Sequence, residues 1–560
     1  MPTSRNTLVR RILGSVAAFA AAAPGLGAAA ATVDAGSLLQ QTQPAQNRPP
    51  AGESAPRITI ERAPDSKLGP SAPFRVERIE IDGNVHFGTP QLHALIAEAE
   101  GKNLTLAEVG GLAARITAYY RSQGYMLARA IVPAQTIRDG VVKIQVIEAV
   151  YGRIALDNES PVHDSVLLGL LSPLHAHDAV TQAALDRSLL LVSDVPGVRY
   201  TATLSPGDTV GSSNLSLEVR PGSRYSGTAG LDNFGNSSTG RLRANASLGV
   251  NNPLHRGDVF SVNLMSAGEG MNFARAGYET YAAPNGARVG AALSGLSYKL
   301  GGAYAPLAGH GTADQAGLWL RGPLVRAEFR NLNAQLEIDH LKLADELDSS
   351  ATHTDRHADI AAFSLAGDAK GEGFLSSWGL VATFGQLHFD DAIARSVDAG
   401  TAKTAGRFSK LDLNVGYLRA LGAADSVYLA VAGQWAGSNL DSSQKLQLGG
   451  PSTIRSYDSG AVSADSGLYA SAELRHDFAN EAHGRWQAVA FVDLGRAMQN
   501  RRPWSAAPNW GTLEGLGLGA RWVQGPWSAK VDVASTLGHS TVLVNSGATT
   551  RGWAELNRAF

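Results

Sequence analysis

The sequence predicts a mainly β protein: a transmembrane antiparallel β-barrel of about sixteen strands, preceded by two small α+β units. Three observations carry this. From Pro221 to Phe560, apolar and polar residues alternate over short segments separated by Gly, Asn, Asp and Ser turns, the pattern of strands with one face in lipid and one in a wet lumen. Beyond residue 31 no apolar run approaches the roughly 18 residues of a spanning helix, and a closed barrel is the other structure that satisfies every backbone group in lipid. Upstream of Pro221 one supersecondary order, β-α-α-β-β, occurs twice in succession.

Composition narrows the function classes. With 48 basic and 50 acidic residues, no basic footprint for nucleic acid is expected. The absence of cysteine excludes disulfide scaffolds, thiolate metal sites and cysteine nucleophiles.

Residues 1–31 read as a signal peptide: Arg5, Arg10 and Arg11, an apolar run over Ile12–Ala23, and A-x-A cleavage sites within Ala28–Ala31. Residues 32–73 read as a short helix, Ala35–Gln43, followed by a Pro-rich flexible linker, with a wholly disordered tail as the alternative. In residues 74–149, Phe74–Asp82 alternates as a strand and Thr89–Ala99 has helical spacing. Thr105–Glu108 forms a capping box for a second helix with Leu106, Val109, Leu112, Ile116 and Tyr119 on one face. Leu127–Pro133 and Val141–Ile147 close the set as strands. In residues 150–221 the order recurs as Gly152–Leu156, Asp164–Leu171, Val180–Ser193, Val198–Leu204 and Leu215–Arg220. A three-stranded sheet leaves an open edge to which an extended segment can add, unless that edge is covered. His163, His175 and His177 fall in connecting loops without ligand spacing, and no metal is expected.

Residues 222–560 form the barrel. Leu242–Val250 puts Leu242, Ala244, Ala246, Leu248 and Val250 on one face. Leu332–Ile338, Leu411–Tyr417, Val427–Trp435, Leu516–Trp522 and Trp527–Val533 repeat the design. The opposite faces carry Glu337, Asp412, Lys530 and Asp532 in mid-strand, as a wet wall tolerates. At about 21 residues per strand and loop, this length gives about sixteen strands. Phe560, a terminal aromatic on the last alternating segment, suits a C-terminal assembly signal. Gly515–Gly519 (GLGLG) is a strand with lumen-facing glycines, not a phosphate loop.

One stretch departs from the barrel pattern. In Leu446–Tyr457 (LQLGGPSTIRSY), Gly449, Gly450 and Pro451 mark a sharp turn, and Arg455 follows with Ile454, Ser456 and Tyr457. Parity in Trp486–Gly495 (WQAVAFVDLG) turns Phe491, Asp493 and Gly495 to the lumen; parity in Leu468–Phe478 does the same for Glu473. A loop folded back into the barrel would pair Arg455 with Asp493 or Glu473. A surface loop with a solvated arginine remains the alternative from residue types alone.

Ile454-Arg455-Ser456-Tyr457 resembles the Val-Arg-Gly-Tyr/Phe loop motif, and Phe491-Val492-Asp493-Leu494-Gly495 the Phe-x-Asp-x-Gly strand motif, of TpsB transporters of two-partner secretion. These are hemolysin secretion/activation proteins within the superfamily of POTRA-containing barrels; serine at 456 stands where the family has glycine. The resemblance spans the mature chain. It implies two POTRA domains, 74–149 and 150–221, in the periplasm, and within residues 32–73 a helix that plugs an outer-membrane barrel, followed by a Pro-rich linker. Its partners would be a large secreted TpsA-type exoprotein bound through its N-terminal secretion domain, outer-membrane lipid, and the barrel assembly machinery. No nucleic acid, cofactor or nucleotide hydrolysis is implied, and no enzyme motif occurs. A barrel assembly factor of the same superfamily is the rival reading, and a passive porin a more distant one.

Overall fold

The computed structural model describes residues 33–42, 58–60, 71–478, 483–538, 543–544 and 549–560. The expected signal peptide and most of the linker lie outside the described residues. Two pieces of the amino-terminal segment are placed: helix α1, Ala35–Thr42, and a short strand β1, Ile58–Ile60.

Residues 74–149 build a three-stranded sheet covered by two helical segments. Strand β2 (Phe74–Val76) is separated from β3 (Arg78–Asp82), where one continuous strand was expected. The break falls at Glu77, whose N–H turns to donate to the Gly140 carbonyl at 2.8 Å. The expected helix 89–99 is shorter: α2 covers Thr89–His93 and a 3-10 turn covers Ala97–Ala99. Between them Ile96 leaves helical geometry (φ −133°) and is fully buried. Strand β4 (Lys102–Leu104) pairs with β2. The capping box forms as read. Thr105 accepts from Glu108 N–H, Glu108 reaches back, and α3 runs Leu106–Ser122. Val109, Leu112, Ile116 and Tyr120 on its buried face pack on Ile79, Ile81, Val142, Ile144 and Val146. Strands β5 (Arg129–Ile131) and β6 (Val141–Ile147) complete the order β3-β6-β5.

The second unit repeats the plan with β7 (Val150–Asn158), α4 (Asp164–Leu171), α5 (Gln182–Ser193), β8 (Val198–Pro206) and β9 (Ser212–Pro221). Its sheet has four strands, β1-β8-β9-β7. The edge expected to be open carries β1, which pairs in parallel with β8, Ile58 opposite Ala202 and Ile60 opposite Leu204.

Sixteen antiparallel strands then form a closed barrel, from Tyr225–Asp232 to Thr550–Ala559, which pair with each other at the seam. The period-2 pattern decides the faces. Leu411, Leu413, Val415 and Tyr417 point out to lipid, while Asp412 points in and meets Lys410 at 3.6 Å. At the seam Phe560 exchanges two main-chain hydrogen bonds of 3.0 Å with Gly227. Its exposed ring lies across Gly227, where a Cβ would come within 2.6 Å of it.

The lumen is not empty. Helix α1 lies inside it, with Leu38 and Leu39 packed on Leu296, Tyr298, Leu341, Leu343, Ala358 and Ile360 from the wall. The segment between strands Asp425–Ala436 and Ser466–Phe478 folds back into the barrel, a hairpin of Leu446–Leu448 with Val462–Ala464.

Candidate functional site

The re-entrant segment turns at Gly449 and Gly450, both at φ +101°, a region open to glycine at little cost. A Cβ on Gly449 would sit 2.2 Å from the Asp458 carbonyl. The turn is closed by Gly450 N–H to the Tyr457 carbonyl at 3.0 Å and Tyr457 N–H to the Ile454 carbonyl at 3.2 Å. Ile454, Arg455, Ser456 and Tyr457 are all buried.

Arg455 meets both lumenal carboxylates named from parity. Its Nη2 and Nε donate to Asp493 Oδ1 and Oδ2 at 2.7 and 2.8 Å, a bidentate fork. Its Nη1 donates to Glu473 Oε1 at 2.6 Å, and its backbone N–H to Asp493 Oδ2 at 3.0 Å. The guanidinium carbon lies 3.4 Å from the centroid of the Phe491 ring, within cation–π range. Asp493 has no solvent exposure and Glu473 9%, so these charges depend on each other for compensation.

The glycines of the wall make the approach possible. Ile454 presses on Gly495, where a Cβ would lie 3.1 Å from its Cδ1. Ser456 lies against Gly515, where a Cβ would come within 2.2 Å of its Oγ. The serine takes no positive φ and donates to the Glu514 carbonyl at 3.3 Å. Gly517 and Gly519 leave room for the Phe491 ring and the Asp532 carboxylate.

Sequence reasoning missed several members. Ser471 accepts from Arg455 Nη2 at 2.9 Å and donates to Asp493 Oδ1 at 2.8 Å. Trp553, 2% exposed, donates its indole N–H to the Arg455 carbonyl at 2.7 Å. Both sit at lumen-facing parity, the signal that would have flagged them. The base of the segment is held by Lys445 on Asp465 at 3.0 Å.

A second clasp, also unforeseen, holds α1. Arg356 on the strand Thr352–Gly371 is 4% exposed and pairs with three carboxylates: Asp345 and Asp441 at 2.6 Å, and Asp34 at 3.3 Å. Asp34 also receives Ser37 N–H at 2.8 Å, and Ala35 N–H donates to Asp345 at 2.8 Å. Gly36 lies against Ser443, where a Cβ would approach within 2.6 Å. Both clasps therefore draw on the same re-entrant segment, through Asp441 and Ser443 in one and Arg455 in the other.

The loop histidines lie apart from these clasps. His163 precedes α4 with its ring 6.0 Å from that of His255, and His175 pairs with Asp178 at 3.1 Å.

A sixteen-stranded barrel with a clasped re-entrant segment, joined to two sheets of the β-α-α-β-β plan, defines a class: outer-membrane barrels that handle polypeptides. Comparison with known proteins gives the family. The chain matches the model of the haemolysin secretion/activation protein ShlB/FhaC/HecB over residues 211–522 and that of the ShlB-type POTRA domain over residues 74–149, and it belongs to that family. The heme/hemopexin transporter protein HuxB of Haemophilus influenzae (strain ATCC 51907 / DSM 11121 / KW20 / Rd) is 28% identical over 79% of this chain and 80% of its own length. The outer membrane transporter CdiB of Escherichia coli O6:K15:H31 (strain 536 / UPEC) is 24% identical over 88% and 84%. The solved structure of CdiB from Escherichia coli superposes with a TM-score of 0.68 at 21% identity, covering 89% of this chain and 93% of that one. BamA from Haemophilus ducreyi lacking POTRA domains 1–3 aligns at 0.52 with 13% identity over 87% and 100%. These two likenesses concern the fold alone. As a member of the family, the chain is an outer-membrane translocase of two-partner secretion that exports a partner exoprotein, with its POTRA domains in the periplasm.

Proposed function

We propose that the partner is captured, unfolded, by the periplasmic domains 74–149 and 150–221 through strand addition, and then threaded through the barrel 222–560 after α1 leaves the lumen. Arg455, held by Asp493 and Glu473, fixes the re-entrant segment that shapes the path. The observation that carries this reading is a lumen filled by two separately clasped pieces, α1 and the segment around Ile454-Arg455-Ser456-Tyr457. A cavity of 580 Å³ lies between α5 and the periplasmic ends of the barrel strands, lined by Asp194, Arg288, Arg326, Asn333 and Asp368. Arg326 pairs there with Asp194 at 2.7 Å, tying that domain to the barrel.

No nucleotide hydrolysis enters the cycle; folding of the partner outside the cell supplies direction. Phe560, closing the seam against Gly227, is the signal read by the barrel assembly machinery during insertion.

The test has two arms. Deleting this gene should remove one large protein from the extracellular fraction while other outer-membrane barrels stay at normal levels; depleted barrels with normal export would favour an assembly factor. Deleting residues 74–220 should abolish export while single-channel conductance persists. Loss of the channel together with export would assign those residues to barrel integrity instead.

A further inference from the structure

Of the 14 histidines, five stand close together on four adjacent barrel strands: His310, His340, His353, His357 and His388. The strands are Gly309–Arg326, Arg330–Leu347, Thr352–Gly371 and Phe374–Phe389. On these strands Ala313, Leu343, Ala358 and Leu387 pack with α1 in the lumen. Each histidine is an odd number of residues from the lumenal one on its own strand, so all five face outward. Arg326, the last residue of its strand, pairs with Asp194 of the periplasmic unit, which puts His310 at the opposite, cell-surface rim.

Three of the five are accounted for by ordinary contacts. His340 Nδ1 lies 2.7 Å from Asp359 Oδ1 and His357 Nδ1 2.9 Å from Asp390 Oδ1. His388 stacks on His357 with ring centroids 5.2 Å apart. His310 and His353 are different. They flank Glu346 in register, one row across three strands. Glu346 Oε2 is 3.4 Å from His353 Nδ1 and 3.9 Å from His310 Nε2, and Asp348 Oδ1 is 3.4 Å from His310 Nε2. Ala351 N–H, donating to the Asp348 carbonyl at 3.2 Å, closes the turn that carries Asp348. The ligand atoms of His310, Glu346 and Asp348 all lie within 4.8 Å of one another. These gaps are too wide for good hydrogen bonds. They fit another geometry: nitrogen and oxygen ligands at about 2.0–2.1 Å from a tetrahedral zinc ion stand about 3.3–3.4 Å apart. Two of the three gaps match that edge, and rotation of the Glu346 side chain closes the third.

We propose that His310, Glu346, Asp348 and His353 form a binding site for one divalent transition cation of the zinc class, at the cell-surface rim of the barrel. The donor set selects the ion. Two neutral imidazoles and two carboxylates suit zinc, copper or nickel, whereas calcium and magnesium take all-oxygen sets. The two carboxylates balance the charge of the ion. The backbone positions are set by strand register and by one closed turn, so binding needs side-chain rotation alone. Glu346 also follows Asp345, which faces the lumen and holds Arg356 and the Ala35 N–H. A bound ion therefore braces from outside the strand end that clasps α1 from inside. The site stands apart from the export reading and does not depend on it.

The test is a titration of the purified, tag-free, chelator-stripped protein in detergent with Zn2+, followed by calorimetry. His310→Ala/His353→Ala should weaken binding of one equivalent at least tenfold. His357→Ala/His388→Ala, which removes the stacked pair on the same outer face, should leave it at the parental value. Millimolar Ca2+ should not displace the ion. Titration with Co2+ in place of Zn2+ should give the strong visible bands of a tetrahedral site. Heat-modifiable mobility shows that each variant is a folded barrel; if His310→Ala/His353→Ala does not fold, Glu346→Gln carries the same comparison. A parental protein that binds no Zn2+, or a folded His310→Ala/His353→Ala that binds it with unchanged affinity, would overturn the site. Equal loss in His357→Ala/His388→Ala would place the ion elsewhere on this face and overturn the assignment of residues. Displacement by an equal concentration of Ca2+ would overturn the class of ion.

Discussion

Arg455→Ala removes a guanidinium that makes two hydrogen bonds to Asp493, one to Glu473 and one to Ser471. It leaves Asp493 fully enclosed and Glu473 nearly so; Arg475, 2.7 Å from Glu473, still compensates that one. Asp493 has no second cation among the described pairs. Stranding one partner of a buried pair costs about 3–5 kcal/mol, and the strain is relieved if the segment lifts away and water reaches the carboxylate. At 1.4 kcal/mol per tenfold, the ratio of seated to lifted segment should drop by about two to three and a half orders of magnitude. Ser456, 1% exposed, is the place for a reporter: Ser456→Cys introduces a sulfhydryl into a chain without others. Maleimide labelling of that reporter should be slow in the parent and at least a hundredfold faster with Arg455→Ala. Export should be lost while the barrel keeps its heat-modifiable mobility. Arg455→Lys should fall between, since an ammonium keeps the charge without the fork. A reporter that stays protected with export at parental level would refute both the energetic argument and the role given to the arginine.

Other outcomes follow from contacts of the same kind. Gly515→Ala places a methyl within 2.2 Å of Ser456 Oγ and should impair export, and the further change Ser456→Gly should restore it; no rescue would mean that the wall glycine serves some other contact. Arg356→Ala breaks the clasp on Asp34, Asp345 and Asp441 and should raise the mean single-channel conductance toward that of a chain lacking residues 35–42, measured in planar bilayers. Thr105→Ala removes the N-cap of α3 and should cost about 1 kcal/mol, read as a lower melting temperature of the periplasmic unit with conductance unchanged. Burial alone would raise the Glu148 carboxyl, but hydrogen bonds from Tyr120 and from His86 and Val85 outweigh it and hold it below its ordinary value. A depressed carboxylate stabilises the fold above its unfolded pKa, about 4.3, and loses that contribution as pH falls through the folded value. Glu148→Gln should therefore melt earlier at neutral pH and depend less on acid below about pH 4.3; parallel melting curves against pH would refute the linkage.

What the sequence made legible was whatever depends on local period. The lipid and lumen faces, the barrel, the paired β-α-α-β-β units and the Thr105 capping box all follow from side-chain alternation or from contacts within a few residues. Arg455 and Asp493 could be proposed as partners because parity fixed one side chain and a glycine turn located the other. The second clasp was not legible. Asp34, Asp345, Arg356 and Asp441 come from four separated stretches, and no period connects them. Leu341 and Leu343 were hidden for a different reason. A lumen face is expected to be polar, and these two become apolar only because α1 lies against them. The edge strand β1 was missed because Ile58–Ile60 is too short to show a period and lies within a Pro-rich stretch that reads as linker.

The choice of interaction inside the lumen is itself an argument about function. A permanently sealed barrel could be filled with apolar side chains, which hold best when they never meet water. Here the re-entrant segment sets Leu448, Ile454, Tyr457 and Val462 in an apolar cluster with Tyr469, Ala497 and Leu513, but its tip is fixed by ions, and a buried ion pair adds little net stability because its Coulomb energy is offset by desolvation. It nevertheless fixes position sharply, since a bidentate fork tolerates little displacement. When such a contact opens into a wet pore its partners are rehydrated, so the open state is not heavily penalised. Helix α1 combines the same device with a small apolar face, Leu38 and Leu39. Its eight residues are fewer than the ~12–15 that sustain an isolated helix in water. Once off the wall, α1 would lose most of its reason to be helical, and in the proposed cycle the Arg356 clasp is the contact that its release must break. Closing a pore partly with ion pairs, specific in place yet weak in net energy, suits a channel that must stay shut without a client and open when one arrives.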